Sequence, residues 1–269
     1  MTSAESVILG LVQGITEFLP VSSTGHLVLT RFFFEFGGSN ALAFDAVLHL
    51  ATAAAVVVYF HRDLALLANT VVRKLARLPV NSRDMTLVYA LMIGTVPAVF
   101  FGLLLESLME TFFRSPLLVA GVLVAGSFLF MYAEWVYLNV PRRPEMTVRK
   151  GLLIGLFQSL ALIPGMSRAG ATIVGGMLLG LTREEAARFA FLLAIPVILG
   201  AGAKKLIELM TLNEPVAWTA IGFGAGAAFL VGLLAIHFML AFVRRYSLWP
   251  FIWYRIALAV VVVFFVLVS

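Results

Sequence analysis

Apolar residues fill this chain in long blocks, and the polar residues that interrupt them are of two kinds. Some form loops of mixed charge. Others are short turns of Pro, Ser and Gly inside what would otherwise be one apolar run. The pattern predicts helical segments at about 3–19, 23–35, 43–60, 86–106, 116–138, 150–163, 168–180, 184–210, 216–243 and 250–268. Six of these (43–60, 86–106, 116–138, 184–210, 216–243 and 250–268) approach or exceed the roughly 20 residues needed to cross a bilayer. The other four form two pairs, the first broken by Pro20-Val-Ser-Ser-Thr-Gly25 and the second by Pro164-Gly-Met-Ser167. Each half is short, and each break falls where a spanning helix would be at mid-membrane. Two hairpins at 3–35 and 150–180, each entering and leaving on one side, fit this better than straight spans. The expected fold is therefore all-α and integral to the membrane, with six transmembrane helices plus two re-entrant hairpins in one domain, 1–269. His61 to Asp84 reads as the longest polar loop. Thr2-Ser-Ala-Glu5 has the form of a capping box that opens a helix at once. With no Lys or Arg among the first 30 residues, no cleaved signal peptide is expected.

Loop charge orients these elements. If 61–85 is cytoplasmic, it places Arg62, Arg73, Lys74, Arg77 and Arg83 inside. Alternation puts 107–115 outside, with Glu106, Glu110 and Arg114. It returns Arg142, Arg143, Arg149 and Lys150 to the inside. With the second pair re-entrant, Arg183, Arg188, Arg244 and Arg245 are also inside, with Arg255 near the same face. Fourteen of the 19 basic residues then lie inside and four outside (Arg31, Arg114, Lys204 and Lys205), as cytoplasmic loops prefer. The two hairpins acquire opposite orientations. That is an inverted repeat, over about 1–110 and 145–245, and such repeats place their sites near the midplane.

Composition narrows the class further. At 62% hydrophobic and 12% charged, the chain leaves no evident soluble domain. Its net charge of +5 belongs to the inner loops, so no nucleic-acid partner is expected. The absence of cysteine removes disulfide and thiolate chemistry.

The two broken pairs also look like copies. Gly10 to Leu27 reads GLVQGITEFLPVSSTGHL, and Gly155 to Thr172 reads GLFQSLALIPGMSRAGAT. Gln13 and Glu17 are four apart and share a helix face. Glu17 lies roughly 20 Å along its helix, where a bare carboxylate is costly unless it faces a partner or a wet cavity. Ser22, Ser23 and Thr24 begin the second half-helix, and their hydroxyls suit N-capping. The same helix start offers free N–H groups and a positive dipole end to a phosphate, with His26 in the first turn. Ser167 caps the matching half-helix. Arg168 is the one basic residue inside a hairpin, and its guanidinium fork matches phosphate oxygens. Arg168 also suits an ion pair with Glu17 that locks the hairpins, and the two roles are compatible. Thr172, one turn on, adds a hydroxyl. Of the remaining histidines, His49 reads as isolated and structural and His61 as an interfacial loop residue, and no role is assigned to His237. Together the hairpins suit a lipid phosphate or pyrophosphate, with Ser23 or water as nucleophile and His26 and Glu17 moving protons. A bound Mg²⁺ or Ca²⁺ could bridge Glu17 and the phosphates.

Gln13-Gly-Ile-Thr-Glu17-Phe-Leu-Pro-Val-Ser-Ser-Thr-Gly-His26 and Pro164-Gly-Met-Ser-Arg168-Ala-Gly-Ala-Thr172 resemble the two signature motifs of the bacterial undecaprenyl pyrophosphate phosphatases, the family linked to bacitracin resistance. The resemblance covers essentially the whole chain, including Phe189-Ala-Phe-Leu-Leu-Ala-Ile-Pro196. It implies hydrolysis of the C55 pyrophosphate to the monophosphate and inorganic phosphate, recycling the carrier for cell-wall synthesis. It further implies a bacterial inner-membrane location, a site open to the periplasmic or outer face, and a divalent cation. By position, Glu17, Ser23, His26 and Arg168 match its catalytic residues, with Glu17 also at the metal. Ser167 and Thr172 also match its functional positions, and Gln13, Ser22, Thr24 and Gly165 join them as candidates for binding substrate. Gln13 stands where the family accepts Glu or Gln, and Ala169 where Ser is more usual. A homodimer is compatible with this reading. A flippase of the lipid phosphate, using the same midplane site, is the alternative.

Overall fold

A computed structural model describes residues 2–36, 41–105, 115–211 and 217–268. Among them the chain is all helical. The expected outer loop 107–115, with Glu106, Glu110 and Arg114, lies outside the described residues apart from Ser115. In chain order the helices are α1 (Ser3–Phe18), α2 (Ser23–Phe34), α3 (Ala41–Tyr59), α4 (His61–Leu75), α5 (Ser82–Leu104), α6 (Pro116–Asn139), α7 (Val148–Ser159), α8 (Arg168–Leu178), α9 (Arg183–Thr211), α10 (Trp218–Arg245) and α11 (Trp249–Val268). A 3₁₀ turn, Leu160–Leu162, extends α7. The expected capping box opens α1: the Glu5 N–H donates to Thr2 Oγ1 at 3.2 Å, and the Thr2 N–H to Glu5 Oε2 at 3.0 Å.

The helices α5, α6, α9, α10 and α11 are long and apolar enough to cross a membrane. A sixth crossing arises if α3 and α4 count as one span, and these two are bent by 76° at their junction. The chain is thus a multi-pass membrane protein. The bend corrects the reading of 61–84 as a polar loop, because most of it is helix α4. Its apolar residues recur at helical spacing (Leu64, Leu67, Val71), with Leu67 and Thr70 buried and Arg62, Arg73 and Lys74 exposed. That is the pattern of a helix lying along an interface, which the count of charged residues conceals.

Contacts between helices centre on the two broken pairs. α1 packs along α10, and α7 along α5. Lipid tails are as apolar as leucine, so close approach of backbones is what holds such helices together. Glycines four apart provide it. A Cβ on Gly14 would sit 2.8 Å from the Ala228 carbonyl oxygen, and one on Gly10 would overlap that of Gly224. Gly151 and Gly155 meet Ala90 and Gly94 in the same manner. Between these pairs α3 runs against α9 and α10, α8 against α9, and α6 against α11. At one end, Glu134 of α6 is gripped by the Arg183 guanidinium of α9 and accepts the Leu248 N–H at 2.7 Å.

Substituting Gly155→Leu is expected to force α7 off α5 and cost about 3 kcal/mol or more, lowering the thermal midpoint in detergent by roughly 10 °C. Gly222→Leu, where an added Cβ meets nothing within 4 Å, should leave the midpoint within about 2 °C of the parent. Thermal unfolding followed by tryptophan fluorescence checks both.

Candidate active site

The two breaks are built alike. Ser22 caps α2 with φ 76° and ψ 92°, its Oγ accepting the Gly25 N–H at 3.3 Å. Ser167 caps α8 with φ 72° and ψ 118°, its Oγ accepting the Gly170 N–H at 3.1 Å. Positive φ on a serine is uncommon, costs about 1–3 kcal/mol, and persists only where the surroundings dictate it. Here each break helps dictate the other, because the Gly165 N–H donates to Ser22 Oγ at 3.1 Å. Gly165 has φ 101°, and a Cβ on it would lie 2.7 Å from the Val119 carbonyl oxygen, so only glycine fits. Capping leaves the first two N–H groups of each helix, at Ser23 and Thr24 and at Arg168 and Ala169, without partners in their own helix.

Glu17, in the last turn of α1 and only 5% exposed, joins these parts. Its Oε1 accepts from the Arg168 guanidinium. Its Oε2 accepts from Ser23 Oγ at 2.6 Å and from Gln13 Nε2 at 2.8 Å. The same Gln13 nitrogen lies 2.8 Å from His49 Nδ1, which is 3.2 Å from Glu17 Oε2. Gln13 is fully buried, and its Oε1 has no partner. His26, one turn into α2, flanks the cluster. Its Nδ1 is 2.8 Å from the Ser22 carbonyl oxygen and its Nε2 is 2.7 Å from the Tyr254 hydroxyl, with the two rings stacked at 5.7 Å. A carbonyl can only accept, so Nδ1 carries the proton and Nε2 accepts from Tyr254.

Arg255 of α11 is the largest correction. Expected near the cytoplasmic face, it is instead fully buried beside both breaks. Its Nη1 donates to the carbonyls of Pro20 at 3.3 Å and Met166 at 3.1 Å, just ahead of the two capping serines. Nη2 donates to Leu123 O at 3.2 Å and Nε to Ser127 Oγ at 3.3 Å, while the guanidinium lies over the Phe130 ring. A break in an apolar setting needs donors for its carbonyls, and a five-donor guanidinium supplies several at once.

The structure thus brings Gln13, Glu17, Ser23 and Arg168 together, and uses Ser22, Gly165 and Ser167 to shape the breaks. Thr24 is exposed at the start of α2. Thr172 does not join them. It is fully buried, and its hydroxyl donates to Arg168 O at 2.7 Å. Sequence reading missed His49, Tyr254 and Arg255. For His49 a signal existed: a histidine within an apolar helix carries the same cost that drew attention to Glu17. For Arg255 the signal misled, since an arginine just ahead of a long apolar run reads as an interfacial anchor.

Fold and site together define a polytopic membrane protein with an anion-suited polar centre walled in by two broken helix pairs. Residues 6–261 match the family model described as bacitracin resistance protein BacA, and the chain belongs to that family. Similar proteins include the undecaprenyl-diphosphatase of Rubrobacter xylanophilus, 46% identical over 263 residues that make up 96% of each chain. Those of Alteromonas mediterranea and Moorella thermoacetica are 40% identical (99% of each chain) and 42% identical (98% of this chain and 97% of the relative).

Replacing Arg255 with Met should strand the Pro20 and Met166 carbonyls at a cost of about 1–3 kcal/mol each. Arg255→Lys, which keeps the charge and some donors, should lose less. The order parent, Lys, Met in thermal midpoint is the check.

Proposed function

We propose that this chain hydrolyses undecaprenyl diphosphate to undecaprenyl phosphate and inorganic phosphate at the site around Glu17, recycling the lipid carrier of bacterial cell-wall synthesis. One observation carries the reading: a single buried carboxylate binds Ser23 at the start of one helix and Arg168 at the start of the other. The diphosphate lies between those two starts, its oxygens taken by the free N–H groups and by the four Arg168 N–H groups not given to Glu17. The names of the relatives point to the same reaction.

The geometry favours Ser23 as nucleophile, since a serine that already donates to a carboxylate is poised for deprotonation. Glu17 takes the Ser23 proton as Oγ attacks the terminal phosphorus. The bond from that phosphorus to the bridging oxygen breaks, and undecaprenyl phosphate leaves. A water then attacks the phosphoserine, giving its proton to His26 Nε2 once Tyr254 swings off. The phosphorus–Oγ bond breaks as Glu17 returns its proton to Ser23 Oγ, inorganic phosphate departs, and His26 passes its proton to solvent. Arg168 balances the charge that spreads over the phosphoryl oxygens.

The arrangement of helices supports an inverted repeat over about 1–110 and 145–245, with two re-entrant hairpins, 3–35 and 150–180, and six spans. The matched serine caps and the glycine-packed arms α1 and α7 speak for it. The basic residues Arg142, Arg143, Arg244 and Arg245 then face the cytoplasm of the inner membrane and the site opens to the periplasmic or outer side. A divalent cation would be held by the Glu17 carboxylate and the Ser23 hydroxyl, which are hard oxygen donors, with phosphate oxygens to complete the set. When bound, a cation would draw charge from the phosphoryl oxygens.

Glu17→Ala and Arg168→Ala are each expected to slow phosphate release from undecaprenyl diphosphate about a thousandfold while eluting as the parent does in detergent. Micelles have no two sides, so a chain that only moves lipid would release no phosphate and would sink the reading. Removing divalent cations with a chelator should stop release, and adding Mg²⁺ or Ca²⁺ back should restore it.

A further inference from the structure

Helix α4 has three faces, and the protein accounts for only one of them. Leu67 and Thr70 are buried, and Asp63 on the same side accepts from the Arg188 guanidinium of α9 at 2.7 Å. Ala65, Ala68, Val72 and Leu75 recur three and four residues apart and form a second row. All four are exposed, Val72 by 62% and Leu75 by 78%. Arg62, Asn69 and Arg73, seven and four residues apart, form a third row, also exposed. The apolar and basic rows stand about a quarter of a turn apart around the axis. Because α4 turns from α3 by 76°, it lies near the bilayer plane where α3 runs across it. A helix in that plane sets its apolar row against acyl tails and its basic row among headgroups. The basic charge has little to balance it within the chain. Residues 61–83 hold five basic side chains and one acidic one, Asp63, which Arg188 already engages. Arg62, Lys74 and Arg83 make no ion pair among the described residues, and Arg73 donates to the Pro79 carbonyl at 3.1 and 3.2 Å.

We propose that α4 is a binding surface for anionic phospholipids. Arg62 and Arg73 hold the phosphate headgroups, with Lys74 and Arg77 adding charge at one end, while Ala65, Ala68, Val72 and Leu75 lie against the tails of the same lipids. The apolar row is what selects a lipid: free phosphate would leave it bare. This surface is separate from the cluster around Glu17 and does not depend on the hydrolysis proposed there.

The chain has no cysteine, so Val72→Cys carries a bimane label at one position only. The full chain with this label is placed in phosphatidylcholine vesicles at low salt. Phosphatidylglycerol or phosphatidylcholine with a nitroxide on the acyl chain is then added at equal mole fraction. Both should quench the label, because the tails reach Val72. Phosphatidylglycerol should be preferred about tenfold or more, since each basic residue near an anionic surface contributes about fivefold. Arg62→Gln with Arg73→Gln should cut that preference at least about fivefold, and high salt should weaken it in the parent. Arg62→Lys with Arg73→Lys keeps the charge and gives up the guanidinium bonds to Pro79, and it should keep the preference. A label that neither lipid quenches overturns the proposal, since α4 would then lie clear of the bilayer. Equal quenching by the two lipids in the parent overturns it, as does a preference that the glutamine variant retains in full or the lysine variant loses.

Discussion

Helices broken inside an apolar medium leave backbone N–H and C=O groups that water cannot reach, and the rest of this structure answers that constraint. On the carbonyl side the answer is Arg255, which donates to Pro20 O and Met166 O at once. On the N–H side it is the pair of capping serines, each held at positive φ with its hydroxyl accepting from the third N–H of its own helix. The capping is incomplete: the first two N–H groups of each helix have no partner in their own helix. A lipid-embedded protein has little reason to tolerate four such donors unless an anion visits them. The site is thus the unfilled part of the repair.

In the proposed reaction, Glu17 is what would let the anion react there and not merely bind. A carboxylate among helices needs several donors to stay charged, and its two oxygens divide them. Oε1 goes to Arg168, which ties the second break to the first. Oε2 goes to Ser23 and Gln13. One group therefore locks the pair of helix starts and holds the hydroxyl that would attack. The ion pair that looked like a rival to catalysis is what places Arg168 beside Ser23. Substrate need not break it, because most of the guanidinium remains unengaged.

Much of this was legible in the chain. Breaks at Pro20 and Pro164, the caps at Ser22 and Ser167, and the Glu17–Arg168 pair all follow from polar residues set within apolar runs, where each has to be accounted for. What was hidden depends on distance between elements. α4 hid because its charges at positions 62, 63, 73 and 74 suggest a loop, while its helical spacing of leucines is subtle over so short a stretch. Arg255 and His49 sit on helices far from the motifs in sequence, and only packing reveals which neighbours they meet. Thr172 belongs to the motif, but its hydroxyl, one turn from a helix start, donates to its own backbone and does not reach the Glu17 cluster.

The two broken pairs end up with one shape and two chemistries. Gln158 occupies in the second the place of Gln13 in the first, yet its buried amide has no hydrogen-bond partner on either atom, whereas Gln13 binds Glu17 and meets His49. Leu162 follows Gln158 by four residues where Glu17 follows Gln13. Without a carboxylate on that turn, the second pair has nothing to organise a cluster around, and it contributes a cation through Arg168. The first pair contributes the anion, the hydroxyl and the imidazole of His26. Had both pairs kept a carboxylate, two like charges would share one anion-binding centre and repel its ligand; had both kept an arginine, no base would face Ser23. In the proposed reaction, the differences between the two pairs at these few positions would turn two similar helix starts into a site with a direction, attacked from the Ser23 side and charge-balanced from the Arg168 side.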